Sequence, residues 1–338
     1  MEYPSLDKPI AGAFRFNTDS SQLEIYDGNQ WTGVVSTSPE LQTGGTRGLI
    51  LGGIKLNPTR RVADVEYINI DTIGNAIDFG DLVASASQGA GIGSRTRVIA
   101  GGGTPTDPAG TTNIDFHEFA STGNFNDFGD FPDAGYERIA LSNSTRGVFM
   151  GRTAGPAAKN TIDYITIAST GNANDFGDLN SIKTGAGAAG NATRAIHCGG
   201  DTTSNNFQVM DYVTIATTGN AADFGDLMEK LYNTRGGNCG NAVRGLMSGG
   251  NGSGNTIQMV TINTLGNSVD FGDRTVAKSQ IAQMSSTTRA VWGGAGEADS
   301  QVIDYVQIMT TGNAVDFGDL TDATLGYCAG ASNGLGGL

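Results

Sequence analysis

Cysteine, histidine, proline and basic side chains are all scarce in this chain. Its 338 residues include 3 Cys, 2 His, 8 Pro and 20 Lys plus Arg, against 34 Asp plus Glu. Cys198, Cys239 and Cys328 stand apart with no CxxC pair, which argues against a disulfide framework and a cysteine zinc site and leaves them as small buried residues. The net charge of −14 argues against a nucleic acid partner, because phosphate recognition needs clustered Lys and Arg. The same charge favours solubility, and it leaves neutral contacts or bridging cations as the ways to meet an anionic surface. No apolar run approaches the ~20 residues of a membrane helix, so membrane insertion is not expected. The opening MEYPSLDKPIAGAF has neither the basic nor the apolar region of a secretory signal, so none is expected.

Glycine, by contrast, is abundant, at 52 residues without a triplet period. This composition indicates turns and close backbone packing, not collagen. The tetrad DFGD begins at Asp78, Asp127, Asp175, Asp223, Asp270 and Asp316, at intervals of 49, 48, 48, 47 and 46. Asp-Phe-Gly also holds magnesium in protein kinases, but a kinase needs one copy with a catalytic loop and a phosphate-covering loop. Six copies at one period mark a repeat architecture instead.

Three further features keep the period. Segments such as TRGLILGG (46–53) and TRAIHCGG (193–200) end in glycine; alternating runs such as DVEYINI (64–70) and IDYITIA (162–168) follow. Small-residue runs come after each tetrad: VASASQGA (83–90), YERIALSN (136–143), KTGAGAAG (183–190), YNTRGGNCG (232–240), SQIAQMSS (279–286) and LGYCAGAS (325–332). Each run is short and bounded by Gly, Asn or Ser, which indicates strand. In order these are strand A (small residues), B (TR to glycine), C (the alternating run) and D (the tetrad). Four strands per period predict an all-β chain in which residues 46–338 form a six-bladed β-propeller. The first complete strand is a B and the last is an A. The first blade should therefore take its innermost strand from the C-terminus and close the ring.

Arg47, Arg97, Arg146, Arg194, Arg244 and Arg289 recur once per period. With the tetrad carboxylates they are expected to make ion pairs or backbone contacts between blades, the Asp side chains closing turns. Phe79, Phe128, Phe176, Phe224, Phe271 and Phe317 are expected as wedges between blades. Calcium would need three or more oxygen ligands close together, and the spacing supplies two carboxylates per blade, so no metal is expected. His117 and His197 lie in different blades, and Cys198 beside His197 would point to the opposite face of its strand. No Ser–His–Asp order, GxSxG elbow or HExxH helix occurs, so neither enzymatic activity nor a cofactor is expected. The B–C connections differ most between repeats. Lys55, Arg60, Arg61, Lys159, Asn205, Asn206 and Phe207 are the candidate contacts there, since binding residues gather on loops carried by rigid scaffolds.

The glycine pair closing strand B, the aromatic of strand C and the large aromatic of strand D resemble the kelch repeat over residues 46–332. Tyr67, Phe116, Tyr164, Tyr212 and Tyr305 match the strand-C tyrosine, and the tetrad phenylalanines stand where kelch has tryptophan. Met259 departs from the pattern in the fifth repeat, and Gly151-Arg152 replaces the glycine pair in the third.

Residues 1–36 lie outside the repeat, with 37–45 as linker. GAFRFNTDSSQLEIYDGNQW is expected as a β-hairpin, too small to bury a core without a partner. Its Gly12, Arg15, Phe16, Asn17, Thr18, Glu24, Tyr26, Gly28 and Trp31 resemble a segment of bacteriophage tail-fibre and other virion proteins. The TGNAxDFGDL repeats are similar to those of structural proteins of marine phages, including cyanophages. The resemblance implies a virion protein made in the host cytoplasm, in which Arg15, Phe16, Tyr26 and Trp31 help attach residues 1–36 to other virion proteins or sister chains. It implies a fibre or appendage, as a homo-oligomer such as the trimers common among phage fibres, whose propeller binds a host receptor or glycan. An architectural adaptor, connector or capsid-decoration role stays open, as does a glycan depolymerase with paired carboxylates.

Overall fold

The computed structural model describes residues 9–17, 22–33, 46–106, 109–155, 157–201, 208–234, 237–250, 254–295, 301–322 and 325–334. These are all-β, with no helix among them. The chain divides into two units, Met1–Gln42 and Thr43–Leu338.

In the first unit, β1 (Phe14–Asn17), β2 (Gln22–Tyr26) and β3 (Trp31–Gly33) form one antiparallel sheet in sequence order. This adds a strand to the expected hairpin: the Asp27-Gly28 turn reverses the chain and Trp31 opens β3 opposite Tyr26. Asp27 Oδ1 accepts from the backbone N–H groups of Asn29 and Gln30, which holds its carboxyl below the usual range. Arg15 Nε lies 2.7 Å from Glu24 Oε2, and its guanidinium sits 4.4 Å over the Trp31 ring. Alternation places Phe14, Phe16 and Leu23 on the other face, where all three are exposed.

The second unit is six antiparallel sheets. Sheet one holds β4 (Arg47–Leu56), β5 (Thr59–Asn69) and β6 (Ile77–Asp81). Sheet two holds β7 (Ala90–Gly93), β8 (Arg97–Gly101), β9 (Thr111–Glu118) and β10 (Asn126–Gly135), and sheet three β11 (Ile139–Ser142), β12 (Arg146–Ala154), β13 (Ala157–Thr166) and β14 (Asn174–Asp178). Sheet four holds β15 (Gly187–Gly190), β16 (Arg194–Cys198), β17 (Val209–Thr214) and β18 (Ala222–Asp226), and sheet five β19 (Arg244–Ser248), β20 (Thr256–Thr261) and β21 (Val269–Asp273). Sheet six holds β22 (Ala282–Ser285), β23 (Arg289–Gly293), β24 (Val302–Gln307) and β25 (Val315–Asp319). The C-terminal β26 (Leu325–Gly326) and β27 (Ala329–Ser332) both pair with β4, so sheet one takes its A strand from the end of the chain.

Two strand assignments differ from expectation. The small-residue run of sheet two is β7, beyond most of 83–90, and residues 83–89 are connection. Among the described residues sheet five has three strands, and its expected A segment contributes a single bridge, Gly240 to Gly245. In strand C the aromatic is half-buried and the Thr of each ITI-type run is exposed, as at Tyr164 and Thr166.

The tetrad has a local explanation. In the C–D register Glu66 faces Asp78 and Val65 faces Gly80, so Phe79 is the extra residue of a β-bulge. The same shift recurs at the other five tetrads. The bulge turns each phenylalanine into the core, where all six are at most 3% exposed. Phe79, Phe128, Phe176, Phe224 and Phe317 meet the strand-C aromatic of their own sheet edge-on, at centroid distances of 5.7–6.0 Å. Such pairs contribute about 0.5–1.5 kcal/mol beyond area burial.

One junction is used six times. The Gly123 N–H donates to Phe79 O, Phe125 N–H to Asp81 O, and Asn124 Oδ1 accepts from Asp81 N–H at 3.1 Å. In this way the TGN segment of each sheet docks on the tetrad of the sheet before it, and Gly74, Asn75 and Ala76 dock in turn on Phe317 and Asp319 of sheet six. The arginines add a second tie. Nη1 of Arg47, Arg97, Arg146, Arg194, Arg244 and Arg289 donates to the carbonyls of Phe119, Ile167, Ile215, Ile262, Ile308 and Ile70, each in the next sheet, with Arg289 reaching sheet one. The backbone-carbonyl alternative therefore holds for these arginines, while the first Asp of each tetrad is exposed. Six hydrophobic clusters lie between successive sheets, including one shared by sheets six and one.

Candidate functional site

The sheets present two unlike edges. One carries the A–B and C–D connections, with the repeated arginines and TGN turns. The other carries the D–A and B–C connections, which adjoin through the bridges Ser87–Thr104, Tyr136–Thr153 and Thr184–Asp201.

On this second edge lies a set of residues that no sequence motif marks. Gln88, Glu137, Asn233, Gln280 and Tyr327 have φ of 59–61°, and Gly185 has φ of +64°. They stand ten residues after Asp78, Asp127, Asp175, Asp223 and Asp270, and eleven after Asp316. Their backbones are linked in series. Gln88 N–H donates to Tyr327 O, Glu137 to Gln88, Gly185 to Glu137, Thr234 to Gly185, Gln280 to Asn233 and Tyr327 to Gln280, at 2.8–3.5 Å. A left-handed backbone at a non-glycine residue costs on the order of 1 kcal/mol or more, and such strain gathers at functional sites. Periodic small residues conceal the position in sequence, yet its occupants are Gln, Glu, Gly, Asn, Gln and Tyr. That variety on a fixed backbone was the available signal.

These side chains are mostly neutral hydrogen-bonding groups. Glu137 is the charged member, and its Oε2 accepts from Thr153 Oγ1 at 2.6 Å and Thr184 Oγ1 at 3.4 Å. Gln88 is 9% exposed, and its Oε1 is buried without a hydrogen-bond partner. Arg61 Nε donates to Ser87 Oγ, next in sequence to Gln88.

The B–C candidates expected from sequence behave unequally. Residues 53–63 are mostly strand: Lys55 pairs in register with Arg60 and Ile54 with Arg61, so these are hairpin residues, not loop residues. The run TRRV favours extended backbone, and Asn57-Pro58 supplies the reversal. Lys55 Nζ is tied to Asp64 at 2.6 Å and Asp322 at 3.3 Å, and these pairs raise its pKa. Arg60 is exposed. Lys159 is exposed but belongs to β13, opposite Arg152. Asn205, Asn206 and Phe207 lie outside the described residues. Of the expected attachment residues, Arg15, Tyr26 and Trp31 share one face of the first unit's sheet, and Phe16 is on the other.

Buried acids of strand C form a second repeated series: Glu66, Asp115, Asp163, Asp211 and Asp304, with Gln258 in sheet five. Most cap the D–A connection of the preceding sheet. Val83 N–H donates to Asp115, Thr275 N–H to Asp304, Glu229 N–H to Gln258, and both the N–H and Oγ1 of Thr321 to Glu66. Burial raises the pKa of Glu66, Asp115 and Asp163.

His197 and Cys198 are both fully buried on β16. Burial, with the Lys183 charge adding, holds His197 well below its usual pKa, and burial pushes all three cysteine thiols up to about 12. These thiols are therefore not thiolates at neutral pH. Among the described residues no group of three or more His, Cys, Asp or Glu is placed to hold a metal ion. Set against known protein families and curated proteins, the chain matches no family model and no curated protein.

Proposed function

We propose that the six sheets are the blades of a closed β-propeller and that the chain is a phage virion protein, a fibre or appendage that binds a host surface glycan. The observation that carries the binding role is the left-handed series Gln88, Glu137, Gly185, Asn233, Gln280 and Tyr327, strained at its five non-glycine members, on the edge where the connections differ most. A fixed backbone bearing amides, a phenol and a carboxylate suits sugar hydroxyls, and it suits them better than a phosphate. Closure is supported by the junctions, the arginine ties and the hydrophobic cluster that link sheet six to sheet one. The virion assignment rests on the resemblance of the first unit and the repeats to phage proteins. The exposed Phe14, Phe16 and Leu23 give that unit an apolar face suited to attachment.

One observation favours an architectural adaptor instead. On the opposite edge, Ile73, Ile77, Val243, Leu265, Val269, Met309 and Val315 are exposed, all in sheets five, six and one. An apolar surface of this kind suits contact with another protein. An array of bacterial surface polysaccharides probed with the full chain separates the readings. Glycan binding that is lost in Gln280→Ala and Tyr327→Ala supports the host-binding role. No binding to any polysaccharide, with particle incorporation lost in Val269→Asp and Val315→Asp, supports the adaptor.

A further inference from the structure

The six strand-C positions differ in how their charge is answered. Asp211 Oδ2 lies 2.9 Å from Lys183 Nζ, and Asp304 Oδ1 lies 3.0 Å from Arg274 Nε, with all four side chains fully buried. Asp163 feels the guanidinium charges of Arg138 and Arg152. Lys55 acts in the same way on Glu66. Sheet five substitutes the neutral Gln258, whose amide is satisfied by the Glu229 backbone and Ser268. Asp115 is different. Its Oδ2 accepts from Val83 N–H at 3.1 Å, while its Oδ1 is buried without a partner. The residue is 7% exposed.

The repeat shows what is missing. Lys183 stands eight residues after Asp175, and the equivalent position after Asp78 is Ala86. Arg274 stands four residues after Asp270, and the equivalent position is Leu82. Both Leu82 and Ala86 line a cavity of about 80 Å³ that also contains Asp115, with Ala84, Ser85 and Pro105 at its exposed rim. Among the described residues no Lys or Arg lines it. A single water needs only about 10–15 Å³ of such space, so the cavity has room for an ammonium group on a short alkyl stem.

We propose that this cavity binds a protonated primary amine, whose ammonium group takes the place that Lys183 fills beside Asp211. The carboxylate oxygen left without a partner would accept a charge-assisted hydrogen bond, and Ala86 and Leu82 would pack the stem. Burial, with Asp127 adding to it, raises the Asp115 pKa to about 6, so the group is mainly ionised at neutral pH and lacks a counter-charge. The inference is independent of whether this edge binds a cell surface.

The test is thermal unfolding of the full chain near neutral pH in ethylammonium chloride, against equal concentrations of sodium chloride and tetramethylammonium chloride. Ethylammonium alone should raise the Tm. Asp115→Asn, which keeps the Val83 acceptor, should weaken the apparent affinity about tenfold or more. Ala86→Lys should raise the Tm without ligand and abolish the response, because it carries its own ammonium. Equal shifts in all three salts would overturn the proposal, and so would a response that persists in Asp115→Asn or in Ala86→Lys.

Discussion

The glycine of each tetrad sits where two backbones meet. At Gly318, with φ of +151°, a Cβ would lie 2.5 Å from the Gly74 carbonyl oxygen. Gly74 itself has φ of +156° and nothing within 4 Å of its Cβ position. Gly318→Ala should therefore cost about 2–4 kcal/mol through strain plus overlap, and Gly74→Ala about 1–2 kcal/mol through strain alone. Urea midpoints of the two variants would check the order; equal losses would mean that the junction is looser than drawn. Asp115 gives a pH-dependent counterpart. Its carboxyl binds a proton more tightly folded than unfolded, so its contribution favours folding below about pH 4 and is lost as pH rises through about 6. Asp115→Asn should gain on the order of 1–2 kcal/mol over the parent above pH 6, after allowance for solvent screening, and nothing near pH 4. Paired melts across that range would show it. The Phe and Gly of the tetrad were legible in sequence as recurring letters. That the Phe is a bulge residue, and that Asn of TGN accepts an N–H from the tetrad of the preceding sheet, depends on register and packing between strands, which composition and period do not carry.

Among the elements, five of the six sheets stack an arginine over the strand-C aromatic and set a phenylalanine edge-on against it. Arg47, Arg97, Arg146, Arg194 and Arg289 lie 4.4–4.9 Å from the ring centroids of Tyr67, Phe116, Tyr164, Tyr212 and Tyr305. Sheet five has Met259 in that place, packed against the cluster that holds Phe271. Met259→Tyr should restore the stack and add about 0.5–1 kcal/mol, seen as a higher denaturation midpoint. A lower midpoint would show that sheet five has adapted to its methionine. Four strand types per period were legible from alternation and glycine. The A strands were placed less well, because Ala, Gly and Ser runs have weak periodicity and their ends are set by contacts with neighbouring sheets: a Cβ on Gly91 would lie 2.5 Å from Gly330 O.

In the whole molecule, the C-terminal strand joins the last sheet to the first. Ala329–Ser332 pairs with Gly48–Leu51, Ser332 Oγ donates to Ser285 O, and Asn333 Oδ1 accepts from Arg47 N–H. Deleting residues 325–338 removes this strand and the Tyr327 link together. The Tm should fall by about 10 °C or more, or cooperative melting should be lost altogether; a Tm close to that of the full chain would mean that the strand is dispensable. The order of runs made this pairing readable, since a chain of repeats that starts with B and ends with A leaves one of each to match. The edge that carries the D–A and B–C connections was less readable: the sequence pointed to Lys55, Arg60, Arg61, Lys159, Asn205, Asn206 and Phe207 in the B–C connections, and of these Lys55 proved to be committed to Asp64 and Asp322.

The most direct measurement is electron cryomicroscopy of the phage particle proposed to carry this chain. The account predicts six blades around one axis, residues 1–36 buried against other virion proteins, and the Gln88–Tyr327 edge facing solvent. An open arc of sheets, or that edge covered by another virion protein, would contradict it.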